Sequence, residues 1–239
     1  MPPDNASPPA PFLKPEVLQE AAGDFRYFLD RGYPRKLCLD VVGNRYQLTS
    51  DQRHLLHRGV FSGTDSRERK KRKIPTSRLS GKNLAIDGYN VLITIEAGLS
   101  GRPLIRADDG FIRDISGLSG NFKKTEITEK ALMLILHLLK MRVPRDTLIL
   151  FDAPISKSGE LAEEVRAQLI KLNLPGDARA VRVPEEILIG FPGIVATSDT
   201  AIIDQSERVV DLAGHVLTTR VRPKSILRWG RKRGPLGKG

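Results

Sequence analysis

The sequence predicts an α/β fold in which a parallel five-stranded sheet, flanked by helices, follows a small all-α domain. Three observations carry the prediction. Strand-like and helix-like stretches alternate from Lys82 to Thr219, the pattern of a parallel sheet with covering helices. Within it three short apolar runs each stop at an aspartate: NLAID at Asp87, TLILFD at Asp152 and GIVATSD at Asp199. A buried parallel strand ending at a functional rim has this format, an apolar body with one carboxylate at its carboxyl end. Upstream, in Glu16–Ser62, apolar residues recur at helical spacing instead.

Residues 1–15 hold six prolines and little apolar content, and read as a disordered lead-in. In the helical domain, 16–62, Val17, Leu18, Ala21, Phe25, Phe28 and Leu29 share one helix that Gly32 closes. Leu37, Val41 and Val42 mark a second helix, and Ser50 can cap a third, Asp51–Arg58. Residues 63–81 are basic and without periodicity, which predicts a linker. Over 82–219 strands are placed at Leu84–Asp87, Thr147–Asp152, Ala178–Val183, Ile194–Thr197 and His215–Thr219. Helices are placed near Asn90–Ala97, Glu126–Met141 and Gly159–Asn173. Glu126–Met141 is apolar on nearly every side, which predicts a central buried helix with His137 as a core histidine. Gly98–Lys124 breaks the alternation as a long loop whose acids, Asp108, Asp109 and Asp114, either coordinate metal or form turns and caps. Residues 220–239 form a basic tail.

The net charge is +11 at pH 7, and it is local. Arg67–Lys73 carries six basic residues and one Glu, and Arg220–Gly239 eight basic residues and no acid, which leaves the rest close to neutral. Clustered cations of this kind suit phosphate contact and predict nucleic acid as the partner. Cys38 is the only cysteine, which excludes a disulfide framework and fits a reducing cytoplasm. No secretory apolar segment and no run of membrane-spanning length is present, so no membrane partner is expected. His54 and His57 sit three apart with no third ligand suggested nearby, and read as core or surface histidines rather than a metal pair.

If the acid-tipped strands are neighbours, Asp87, Asp152 and Asp199 converge outside their carboxyl ends, where open parallel sheets bind ligands. Close carboxylates repel, and a hard divalent cation such as Mg²⁺ or Mn²⁺ relieves that repulsion through oxygen ligands. Such a cation activates water and stabilises a phosphodiester during in-line displacement, so the three acids are candidate catalytic and metal-ligating residues. Asp204, five residues beyond Asp199, is a candidate fourth ligand. Asn90, Ser198 and Thr200, at two helix starts, are candidate substrate-binding groups placed to orient a phosphate. In the tail, Arg228, Arg231, Lys232 and Arg233 are candidate contacts to an RNA backbone, with Trp229 free to stack on a base.

IDGYNVL (Ile86–Leu92), LFDA (Leu150–Ala153) and ATSDTAI (Ala196–Ile202) resemble the three signatures of the NYN branch of PIN-like ribonucleases, over roughly Lys82–Thr219. The resemblance implies a sheet in order 3-2-1-4-5 and metal-dependent cleavage of single-stranded RNA, with ribosomal RNA or tRNA as candidate targets. It implies Asp87, Asn90, Asp152 and Asp199 as site positions, and a further acid on a helix after the first strand, with Asp114, Glu126 and Glu129 as the choices. The whole chain, through Arg26–Pro34 and Gly43–Leu48, also resembles an archaeal family known only as a domain of unknown function.

The expectation is therefore a cytoplasmic, metal-dependent endoribonuclease. The alternative is an RNA- or ribosome-binding protein that keeps the PIN-like fold and cleaves nothing. A small-molecule phosphohydrolase on a doubly wound sheet would use the same acids without needing the tail.

Overall fold

The computed structural model of the chain describes residues 15–115 and 122–230. The predicted lead-in up to residue 14, and Arg231, Lys232 and Arg233, lie outside the described residues. Three helices stand close to where apolar periodicity puts them: α1 (Pro15–Asp30), α2 (Arg35–Arg45) and α3 (Ser50–Gly59). Ala21, Ala22 and Phe25 of α1 bury against Cys38, Val42 and Leu56. Thr49, not Ser50, caps α3: its hydroxyl accepts from the Gln52 N–H, and Gln52 Oε1 accepts from the Thr49 N–H at 2.8 Å.

The predicted linker is instead folded. Ser62 Oγ accepts from the Asp65 N–H at 3.1 Å and starts α4 (Gly63–Arg72). A short strand, β1 (Lys73–Ile74), and a 3₁₀ turn (Thr76–Leu79) follow. The inward face of α4 consists of Ser66 and Arg69, both buried. Arg69 donates two 2.7 Å bonds to Asp204, and Arg72 bonds the Ile203 carbonyl at 3.1 Å. A helix that packs through guanidinium groups leaves no apolar periodicity to read.

The main sheet has six strands, all parallel. They are β1, β2 (Asn83–Asp87), β5 (Asp146–Asp152), β6 (Asp177–Val181), β7 (Ile194–Ala196) and β8 (Val209–Val210); β3 (Leu104–Arg106) and β4 (Ile112–Asp114) pair with each other outside it. Their spatial order is β1-β8-β7-β2-β5-β6. Leaving out β1, the five strands run 3-2-1-4-5 when numbered along the chain. The chain builds outward from β2 to β6, returns, and builds outward again from β7, so the direction reverses between β2 and β7. The fifth strand is Val209–Val210 rather than His215–Thr219, which lies in α10 (Leu212–Val216) and a π turn (Leu217–Val221). Asp211 Oδ1 accepts from the Gly214 N–H at 2.8 Å, which starts that helix.

Helices α5 (Gly88–Leu99) and α6 (Glu126–Arg142) cover one face of the sheet with Leu84, Ile86, Ile149 and Phe151. α6 is a covering helix with an open face rather than a central one, and Met133, His137 and Met141 are exposed. Helix α7 (Ser158–Lys171) joins β5 to β6, and α8 (Pro184–Ile189) joins β6 to β7. The opposite sheet face buries Ala85, Leu150 and Val195 under Leu188 of α8 and Ile202 of α9 (Thr200–Gln205).

Part of the glycine-rich stretch forms a second sheet. β3 (Leu104–Arg106) pairs antiparallel with β4 (Ile112–Asp114) and parallel with β9 (Leu227–Arg228). The acids of its turn are structural. Arg26 holds Asp108 through two 2.9 Å bonds, and Arg113 holds the fully buried Asp109 through two of 2.8 Å. Gly110 sits at φ +83°, the left-handed conformation that glycine adopts without strain.

The basic tail begins later than its composition suggests, since residues 220–230 are part of the fold. Trp229 is not free to stack on a base. It packs on the helical core and against Leu55, Ile105 and Ile115, with its Nε1 buried. A Cβ added to Gly59 would stand 2.7 Å from that nitrogen. Trp229→Ala is expected to lower the unfolding free energy by about 2–3 kcal/mol in urea titrations, below the cost for a fully buried tryptophan. A change under about 0.5 kcal/mol would show that the packing contributes little.

Candidate functional site

Register places the acids. Asp87 pairs with Leu150, and Ile86 pairs with Ala196, so β2, β5 and β7 end side by side. Side chains alternate along a strand, so Asp87, Asp152 and Thr197 fall on one face, that of Ala85, Leu150 and Val195. This rim is the carboxyl edge of the sheet at its reversal point, where ligands of doubly wound folds bind. Gly88 lets α5 start directly over β5, because a Cβ there would stand 2.6 Å from the Leu150 carbonyl oxygen.

Asp87 is only 9% exposed. Its Oδ2 accepts from Thr197 Oγ1 at 2.8 Å, and Thr197 Oγ1 in turn accepts from the Asp199 N–H at 3.0 Å. One hydroxyl thus fixes both acids. Asn90 Oδ1 accepts from the Ser198 N–H and Oγ, each at 2.9 Å, and pins the exit of β7 to the first turn of α5.

Burial raises the Asp87 carboxyl to about 7; the Thr197 bond opposes the rise, and the charges of Asp199 and Asp152 add to it. Burial, then the charge of Glu185 on α8, also raises Asp152. Between the ordinary aspartate value, 3.8, and about 7 the folded chain keeps a proton that the unfolded chain has released. Stability without metal is therefore expected to fall as pH rises through that window and to level off above it. Asp87→Asn should flatten the slope. Urea midpoints between pH 4 and 8 measure it, and equal slopes for both chains would contradict the prediction.

Among the described residues, no three His, Cys, Asp or Glu side chains are grouped as a metal ion requires. The donor chemistry at the rim nevertheless suits a hard cation, with the carboxylates of Asp87 and Asp152 on neighbouring strand ends, that of Asp199 at the cap of α9, and the carboxamide of Asn90. The Tyr89 hydroxyl, which is raised to about 12 by burial and the Asp152 charge, lies buried there without a partner.

Several predicted residues have other work. Asp204 is held by Arg69 through both oxygens, so its lone pairs face a guanidinium and not the rim. Ser198 spends its N–H and hydroxyl on Asn90, which makes it a positioning residue. The start of α9 is not open to a phosphate, because Asp199 Oδ1 already accepts from the Ala201 and Ile202 N–H groups. Thr200 borders a cavity beside Asp199. Arg228 is exposed on β9, in the second sheet and not the one whose strands carry the acids. Of the candidate further acids, Glu126 is exposed, Glu129 pairs with Lys124 at 3.6 Å and Asp114 with Arg102 at 3.8 Å.

Sequence reasoning missed Thr197, Glu185 and Arg58. Alternation from Val195 points to Thr197, and the start of a helix after β6 points to Glu185. No local pattern points to Arg58, which reaches Asp199 from the helical region. The cavity there, ≈520 Å³, opens between α3, α4 and Asp199, and its walls include Arg35, Arg58, Arg69 and Arg113. Another hollow, ≈500 Å³, lies at the amino ends of β2 and β7, around Asn83 and Ile194, away from the acids.

Two family models match the chain: a protein of unknown function (DUF434) over residues 17–72, and a domain of unknown function (DUF5616) over residues 76–215. Neither is a model of the NYN branch. The uncharacterized protein MJ0935 of Methanocaldococcus jannaschii is 32% identical over 202 residues, which span 84% of this chain and 96% of that protein. No solved structure matches. No helix among the described residues is long and apolar enough to cross a membrane.

Proposed function

This chain belongs to the family described as domain of unknown function DUF5616, and from its strand-end carboxylates we propose that it is a metal-dependent endoribonuclease of PIN-like type, acting on single-stranded RNA in the cytoplasm. The observation that carries the reading is the position of Asp87 and Asp152, the last residues of the adjacent strands β2 and β5, and of Asp199, the cap of α9 three residues beyond β7, at the reversal point of the sheet. The resemblance of their flanking segments to the NYN signatures supports it, and the net charge of +11 suits a polyanionic substrate.

In this reading the three acids hold Mg²⁺ or Mn²⁺, which when bound supplies the positive charge that a phosphodiester displacement needs. Thr197 keeps Asp87 and Asp199 in fixed orientation through its two hydrogen bonds. Asn90, with Oδ1 committed to Ser198, turns its Nδ2 donors to a phosphate oxygen. Glu185 stands near Asp152 as a further acid at the rim. The reading is tested with a labelled single-stranded RNA: cleavage in Mn²⁺ that EDTA abolishes is the expected result.

A second reading, RNA binding without cleavage, is favoured by the lack of a pre-assembled metal trio among the described residues. RNA that is bound but left intact at every Mn²⁺ and Mg²⁺ concentration would select it.

A further inference from the structure

The cavity beside Asp199 carries more positive charge than its own carboxylates offset. Among the described residues four arginines line it. Two are matched: Arg69 by Asp204, and Arg113 by Asp109. The other two are not. Among the described residues Arg35 donates only to backbone carbonyls, those of His57 and Val60, and it stacks on Phe61 with its guanidinium 4.7 Å from the ring centre. Arg58 makes no hydrogen bond or ion pair among the described residues, and its Nε is buried without a partner. Two acids also line the cavity, Asp65 and Asp199, but both are exposed, and the carboxylate of Asp199 is turned to the first amides of α9.

Both arginines are half-buried, and a buried guanidinium nitrogen with no acceptor, as at Arg58 Nε, is costly; an anion is its usual remedy. Burial lowers Arg35 to about 10, and the charges of Arg69 and Arg113 add to the fall. Burial also lowers Arg58, against the charge of Asp114 and with that of Arg113. The Arg35 shift agrees with surplus positive charge. The cavity adjoins the acid rim, because Asp199 forms part of its wall and Arg58 feels the Asp199 charge.

We propose that this cavity is a phosphate-binding subsite, in which Arg58 and Arg35 receive a phosphate of the substrate strand next to the one that the strand-end acids handle. The assignment rests on the ribonuclease reading for its substrate and on the unmatched arginines for its chemistry. The phosphate comes from one of two sources, the 5′ end of the strand or an internal phosphodiester. A terminal phosphate carries about −1.5 to −2 charges at pH 7 against one for a diester, which fits two unmatched guanidinium groups better.

The test is binding in EDTA, where no cleavage intervenes. Fluorescence anisotropy measures a short 3′-labelled single-stranded RNA, with either a 5′-phosphate or a 5′-hydroxyl, on the wild type, Arg58→Gln and Lys171→Gln. Lys171 is an exposed cation in the last turn of α7, outside both basic tracts and not among the cavity residues. Arg58→Gln is expected to weaken binding about tenfold, the value of one charged hydrogen bond, and to lower the salt slope by about 0.7. Lys171→Gln should change affinity less than twofold. A loss confined to the 5′-phosphorylated RNA assigns the terminal source, and an equal loss for both RNAs assigns an internal phosphate. Equal losses in Arg58→Gln and Lys171→Gln, or none in either, overturn the subsite.

Inorganic phosphate is the second probe. Its ³¹P line should broaden saturably on the wild type and not on Arg58→Gln. This decides the matter on the wild type alone should the variant fail to fold, since a line that never broadens overturns the proposal. Phosphate bound with no RNA bound would sink the ribonuclease reading and leave the subsite for a smaller phosphoester.

Discussion

Asp87→Asn is expected to reduce cleavage of single-stranded RNA in Mn²⁺ by about a thousandfold or more. A cation at a transferring phosphoryl group supplies several kcal/mol of stabilisation, and each 1.36 kcal/mol is a factor of ten in rate. The substitution removes one charge from the proposed ligand set and keeps the shape of the side chain. Its carboxamide oxygen can still accept from Thr197 Oγ1, so the tie between Asp87 and Asp199 survives. The fold should therefore persist. Without metal it should even gain stability above pH 7, where the wild-type carboxylate is ionised in a site that is only 9% exposed. RNA binding should change little, because Arg35 and Arg58 are untouched. The assay compares both proteins with and without EDTA. Equal cleavage by the variant would remove Asp87 from the site, while binding without cleavage by the wild type would favour the non-catalytic reading.

Asp109→Ala is expected to cost about 3–5 kcal/mol of folding stability, the effect of removing one partner from a buried ion pair. Asp109 is 0% exposed and Arg113 2%. Without the carboxylate, Arg113 loses two 2.8 Å bonds, and Arg69 loses a counter-charge 3.6 Å away. Burial alone would push the Asp109 carboxyl up; the charge of Arg113 and its hydrogen bonds override this and hold it below the ordinary value. The exposed pair Lys71–Glu68 gives the contrast, since Glu68→Ala should leave the urea midpoint almost unchanged. Urea denaturation of the two variants measures the difference. A loss under about 1 kcal/mol for Asp109→Ala would mean that water reaches Arg113 when its partner is gone. The damage should also reach the rim, because Arg113 donates to the Ser198 carbonyl at 2.8 Å and Ser198 holds Asn90.

The sequence by itself determined the strands that end at Asp87 and Asp152, the apolar body of β7, which stops at Ala196 short of Asp199, and the helices that bury apolar stripes. Both signals are local: an apolar run closed by an aspartate, or leucines returning at helical spacing, is visible whatever the rest of the chain does. This placed α1, α2 and α3, and it brought Asp87 and Asp152 to one edge before any contact was known. Other features were decided by pairings across more than a hundred residues. Arg69 with Asp204 turned a predicted linker into a helix and removed a predicted ligand from the rim. Packing on the helical core took Trp229 out of a tail that composition had marked as free. Arg58 came to Asp199 from another part of the chain. Hydrophobic periodicity records which side chains avoid water, not which charge a buried cation will meet. The electrostatic half of the site therefore appears only when the chain has folded and the partners lie in one place.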